Sequence, residues 1–132
     1  MLTRIKCLWL FLVLFASFAQ AAIPSLNSST PSDGDTGVSQ AVDLVLNFSK
    51  KLTAISGKNI KLYQSGGSLV ESIDVTSAQV SITNGSKKVT VDFTNALSGG
   101  TGYYINIDSG AFTNSGDPYA GISDSTTLNF TT

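Results

Sequence analysis

Histidine is absent from this 132-residue chain, and past residue 21 so are cysteine, tryptophan and arginine. Without histidine, no side chain has an ordinary pKa suited to proton transfer near neutral pH. Without cysteine there is neither a thiol nucleophile nor a disulfide in that stretch. Ser–His–Asp and Cys–His arrangements are thereby excluded. Charge is sparse as well, at 13% of residues. Setting Arg4 and Lys6 aside, every basic residue is a lysine, and the nine acidic residues outnumber them. That balance argues against nucleic acid or anionic lipid as a partner, since both require clustered positive charge. The only basic pairs, Lys50-Lys51 and Lys87-Lys88, read as solvated strand ends that discourage edge pairing.

What is present begins with an address. Met1-Leu-Thr-Arg4-Ile-Lys6 is followed by an apolar run from Leu8 to Phe18 and then by Ala19-Gln20-Ala21. A basic start, an apolar stretch and a small-x-small site are the layout of a secretory signal. The run is shorter than the roughly 20 apolar residues of a membrane span; an uncleaved anchor is the alternative reading. Cys7 precedes the run, so it is not the cysteine of a lipoprotein signal. The expected organisation is a signal peptide over 1–21 and one domain over 22–132, with the protein exported to the cell surface, the extracellular space or the periplasm.

Past residue 21 short apolar-patterned runs alternate with Gly, Ser, Asn and Asp clusters, and no run carries a sustained helical period. Leu26 marks a first strand. Leu44, Leu46 and Phe48 alternate, as do Ile60 and Leu62. Ser65-Gly66-Gly67-Ser68 closes a hairpin onto Leu69 to Val75, and Val80 and Ile82 mark another strand. Asn84-Gly85 is a hairpin turn, because both residues tolerate the positive φ of a type I′ turn. Val89, Val91 and Phe93 form the next inward face, then Tyr103, Ile105 and Ile107, with Leu128 and Phe130 in a last strand. Tyr104 and Asn106 face out. Seven or eight strands at roughly 8- to 12-residue spacing predict an all-β, antiparallel sandwich.

One segment narrows the fold further. Leu97-Ser-Gly-Gly100-Thr101-Gly-Tyr103 is followed by an alternating strand. This is the pattern of a tyrosine corner, in which a tyrosine opening a strand folds its hydroxyl back onto the preceding crossover backbone. Leu97, Gly100, Thr101 and Tyr103 are therefore structural residues of an immunoglobulin-like sandwich. The whole stretch past residue 21 resembles a bacterial Ig-like domain of the kind found in S-layer proteins and large surface adhesins. Thr30-Pro31-Ser-Asp33-Gly34-Asp-Thr-Gly37-Val38 is similar to that family's first loop, and Leu44-x-Leu46-x-Phe48-Ser49 and Ile60-x-Leu62 to its second and third strands. The best match runs from Leu97 through Gly110-Ala111-Phe112 and a Gly-containing loop at Asn114 to Gly121, ending at Phe130. Lys50, Asn114 and Gly116-Asp117 stand where the family often carries other residues, acidic ones among them. The resemblance implies one module of a kind that usually occurs many times in a long chain, so this chain reads as a short gene product or a fragment of one.

Candidate sites are few. Asp43, Asp74, Asp92 and Asp108 point outward or end strands, and the other aspartates lie in predicted turns, so no carboxylate pair is set up for glycoside cleavage. Asp33, Asp35 and Asp117 offer oxygens for Ca²⁺ but match no calcium loop; turn chemistry accounts for them, and no metal or cofactor is expected. Tyr63, Tyr104 and Tyr119 are candidates for an aromatic platform under sugar rings, one without tryptophan, and the loops at the sandwich ends are the default place for binding. Asn-x-Ser/Thr sequons at Asn27, Asn47, Asn84 and Asn129 are incidental in a bacterial protein. The expected function is a non-catalytic structural or adhesive module of an exported surface protein. The alternative is a small module that binds a glycan or another envelope or surface protein; no small-molecule substrate is expected.

Overall fold

A computed structural model describes residues 23–132. The signal peptide expected over 1–21 lies outside the described residues. The described residues form eleven strand segments and no helix: β1 (Leu26–Thr30), β2 (Leu44–Phe48), β3 (Thr53–Ala54), β4 (Asn59–Gln64), β5 (Leu69–Asp74), β6 (Val80–Thr83), β7 (Lys88–Val91), β8 (Gly102–Ile107), β9 (Phe112–Asn114), β10 (Asp117–Pro118) and β11 (Asn129–Thr131).

Two four-stranded antiparallel sheets face each other, one ordered β1-β2-β7-β6 and the other β11-β8-β4-β5. That is the immunoglobulin arrangement, with a fourth strand added beside the three of the second sheet. The reason lies in the alternation. Leu44, Leu46 and Phe48 of β2, Val89 and Val91 of β7, Ile60 and Leu62 of β4, and Tyr103, Ile105 and Ile107 of β8 are all buried. Each strand offers one apolar face and one polar face, and two such sheets bury their apolar faces only against each other.

A third, smaller sheet, β10-β9-β3, was not foreseen. The segment Asn114 to Gly121, expected as a loop, contains a hairpin: Asn114 pairs with Asp117 across Ser115-Gly116, both at positive φ. Asp117, expected in a turn, therefore lies on β10. This hairpin closes one pole of the sandwich. Phe112 is fully buried, 5.5 Å from Phe48, and the Tyr119 ring meets Phe48 edge-on at 5.0 Å.

The sheet edges are treated differently. After β1 the chain leaves the first sheet and runs along β11: Gly34 N–H donates to Asn129 O (2.7 Å), Thr131 N–H to Asp35 O (2.8 Å) and Val38 N–H to Thr131 O (3.1 Å). Those bonds use the free side of β11, so this edge is covered by its own chain. β5 ends the same sheet without such a cover, and Leu69 and Val70 on it are 54% and 46% exposed.

Candidate functional site

The segment from Leu97 to Tyr103 folds as a closed corner. Ser98 N–H donates to Tyr103 Oη at 2.9 Å. The Tyr103 side chain is 2% exposed and stacks on Phe130, with ring centroids 5.7 Å apart. Gly100 takes φ +61, Thr101 Oγ1 donates to Gly99 O (3.0 Å), and Leu97 is buried with its N–H bonded to Gln40 O (2.8 Å). The hydroxyl satisfies a backbone donor that the crossover would otherwise bury. Leu97 and Tyr103 are buried and the Tyr103 hydroxyl is spent on a backbone bond, while Ser98, Gly99 and Gly100 are exposed around them.

Most of the carboxylates serve the backbone in the same way. Asp33 accepts from Asn129 N–H (3.0 Å), Asp35 from Ser32 N–H (2.8 Å), and Asp108 from Asn59 N–H (2.8 Å). Asp74 holds Gly57 N–H (2.9 Å) and both the N–H and hydroxyl of Thr76. Asp124 caps Thr126 and Thr127. Hydrogen bonds from the Thr76 and Thr127 side chains, then from backbone N–H groups, hold Asp74 and Asp124 below the ordinary aspartate pKa. A carboxylate held ionised is a poor proton donor near neutral pH. Among the described residues no three His, Cys, Asp or Glu side chains converge on one point. Asp35 caps its own turn, Asp33 ties its loop to β11, and Asp117 sits on a separate hairpin.

Glu71 escaped the sequence reading. It is the partner of the buried Leu62 across β4 and β5, so it points inward near a sheet edge. Its carboxylate accepts from Gln79 Nε2 (3.0 Å), Thr94 N–H (3.1 Å) and the Thr94 hydroxyl. Partial burial works to raise its pKa, but the bonds from Thr94 and Gln79 outweigh it and hold the carboxyl below its ordinary value. An inward carboxylate on an edge strand also discourages a foreign strand from adding there. Nothing in the local pattern announces it, because Thr94 lies 23 residues away.

The three tyrosines nominated as a platform part company. Tyr119 is only 7% exposed, and burial raises its hydroxyl pKa. It anchors the β9–β10 hairpin and is removed from the candidate surface. Tyr63 and Tyr104 do come together: they are cross-strand partners, their rings lie 8° from parallel, and their centroids are 5.0 Å apart. Leu69 pairs with Tyr63 on one side and Asn129 with Tyr104 on the other. The outer face of the second sheet therefore carries a row of Leu69, Tyr63, Tyr104 and Asn129 across all four strands. Beside it, Lys61 lies 3.7 Å from Asp108. Because the two rings stack on each other, one face of each is covered.

Comparison with known proteins agrees with this geometry. A solved structure similar to this chain is the "Crystal structure of the S-layer protein rSbsC(31-844)", with a TM-score of 0.53 at 15% identity; the match covers 83% of this chain and 14% of that one. At that identity the likeness concerns the fold. No curated protein matches the chain in sequence. The family model described as "Bacterial Ig-like domain" matches residues 20–132. The chain belongs to the bacterial Ig-like domains.

Proposed function

We propose that this domain is a non-catalytic structural module, spacer or adhesive, of an exported protein of the bacterial cell surface. The observation that carries the reading is the sandwich itself, a member of the bacterial Ig-like family with an S-layer protein as a structural neighbour. Its strand layout suits modules in series: β1 begins beside Phe48 at one pole, and β11 ends beside Gly102 at the other. The side-chain inventory supports a non-catalytic role, since histidine is absent and hydrogen bonds hold Glu71, Asp74 and Asp124 ionised. The test is fractionation of cells producing the full chain with a C-terminal tag. Recovery from the envelope or the medium, with the mature species starting at Ala22, is expected. A cytoplasmic product still carrying Leu2 would overturn the export reading.

A second reading, a module that binds a surface glycan or protein, is favoured by the Leu69–Tyr63–Tyr104–Asn129 row. Mutually stacked rings leave a sugar only their outer faces, so a protein surface fits this row better than a flat sugar platform does. Binding lost in Tyr104→Ala with unchanged stability would support it. Binding indifferent to Tyr104→Ala and Leu69→Ser would remove this face from consideration.

A further inference from the structure

The sandwich carries two clusters of like charge that serve no bond within the domain. Asn47 pairs with Lys88 at one end of β2 and β7. There the backbone ties the neighbouring loops together, Phe48 N–H to Lys87 O (2.8 Å) and Leu52 N–H to Ser86 O (2.8 Å). Lys50, Lys51, Lys87 and Lys88 are thereby gathered at one pole. The only ion pair among the described residues is that of Lys61 with Asp108, so none of the four has a carboxylate partner. At the other end of the same two strands Leu44 pairs with Val91, which sets the exposed Asp43 and Asp92 side by side. Unlike those of Asp33, Asp35, Glu71, Asp74, Asp108 and Asp124, their carboxylates accept no hydrogen bond, as is also true of Asp117 on the β9–β10 hairpin. Like charges held on neighbouring strands repel, and folding gains nothing from either cluster. The two lie at opposite ends of strands about 16 Å long.

We propose that the lysine pole of one copy docks on the Asp43–Asp92 pole of a second copy, head to tail. Charge complementarity points to a second copy. The lysine pole carries four lysines against the one unbonded carboxylate of Asp117, whose hairpin is tied there by Asn114 Nδ2 donating to Lys51 O (2.7 Å). The Asp43–Asp92 pole carries the opposite charge, and both clusters flank the same two strands. A contact between two different patches of one chain is heterologous, and unless its rotation closes a ring it propagates into a filament. A single exposed ion pair contributes little, so the contact is weak between free molecules. It gains where copies are held close, because linkage or crowding on a surface raises the effective concentration.

Charge reversal tests this on the purified full chain by sedimentation velocity. At about 0.01 M salt, where screening reaches only beyond ~30 Å, the mean mass is expected to rise with concentration; at about 1 M salt, with screening within ~3 Å, it returns to that of a monomer. A variant with Lys50→Glu, Lys51→Glu, Lys87→Glu and Lys88→Glu is monomeric at low salt, and so is one with Asp43→Lys and Asp92→Lys. An equimolar mixture of the two variants associates again, since each now supplies the pole the other needs. Melting curves of both variants match the parent, because the altered side chains hold no bond within the domain. A parent that stays monomeric at low salt overturns the proposal, including the case in which its lysine pole captures a polyanion such as polyglutamate instead. Association that persists in both variants, or that is lost on Leu69→Ser, assigns the contact to the tyrosine face and overturns it equally. A monomeric result leaves the surface-module reading, which rests on fractionation, untouched.

Discussion

Tyr103 and Tyr104 are adjacent, yet their energetics differ because one side chain lies in the core and the other on the outer face. Tyr103→Phe keeps the ring in place and deletes only the oxygen that accepts from Ser98 N–H. The group orphaned is a backbone donor in a part-buried corner, so the loss is expected at about 1–3 kcal/mol. Tyr103→Ala also opens a cavity beside Phe130 and is expected to cost about 3–5 kcal/mol, enough to unfold a marginal domain. Tyr104→Phe removes a solvent-facing hydroxyl and is expected to stay within about 0.5 kcal/mol. Denaturant titration of the three variants checks this, and a Tyr104→Phe loss larger than that of Tyr103→Phe would mean that the β8 register is off by one residue. Tyr119 gives the contrasting lesson. Its sequence surroundings, Asp-Pro-Tyr-Ala-Gly, carry no alternation, and its burial depends on Phe48, far away in the chain.

At the scale of elements, the long strands were legible, and of the short ones only β11, marked by Leu128 and Phe130, was. β2, β4, β7 and β8 are four to six residues long, enough for alternation to declare which side chains face inward. β3 and β10 have two residues each and β9 three, too few for a period to show. Their pairing is fixed by tertiary packing around Phe112. The inward set of β5 was obscured for another reason: the register shifts between Leu62 and Tyr63, so that Leu69 faces out while Glu71 faces in. The corner was legible because Leu97, Gly100, Thr101 and Tyr103 lie within seven residues of each other, whereas the tyrosine row draws on β4, β5, β8 and β11. The turns give a prediction at this scale. Gly121 has φ +82, and a Cβ there would run into Ile107 O and lie 2.8 Å from Ser109 N. Gly67, with φ +94 in the β4–β5 turn, has open space around it. Both alanine substitutions strain the backbone, by about 1–3 kcal/mol. Gly121→Ala adds a collision with main chain that cannot rotate away, so its melting temperature is expected to fall further. Equal shifts for the two would show that the segment before Ile122 yields without cost.

For the whole molecule, the stability of a disulfide-free domain rests on its core and on the carboxylate bonds that tie one segment to another. Glu71 joins β5 to the crossover that follows β7, Asp74 joins the end of β5 to the turn before β4, and Asp124 shapes the turn before β11. All three have pKa values lowered by folding, from 4.5 for Glu71 and from 3.8 for the two aspartates. A group whose pKa is lower folded than unfolded contributes stability above its unfolded value, and that contribution is lost as pH falls through the folded value. The domain is therefore expected to hold a constant denaturant midpoint from neutral pH down to about pH 5, and to weaken steadily below it. Glu71→Gln separates this linkage from the general repulsion of a positively charged chain in acid. The amide keeps the shape of the side chain but replaces one acceptor oxygen with a donor facing Thr94 N–H. The variant is thus expected to be weaker than the parent at neutral pH and to converge on it in acid, where the parent's carboxylate is itself protonated. The measurement is a set of urea titrations of both proteins across that range. Parallel curves, with the gap undiminished at the lowest pH, would show that the Glu71 bonds contribute through shape alone and that its ionisation is not linked to folding.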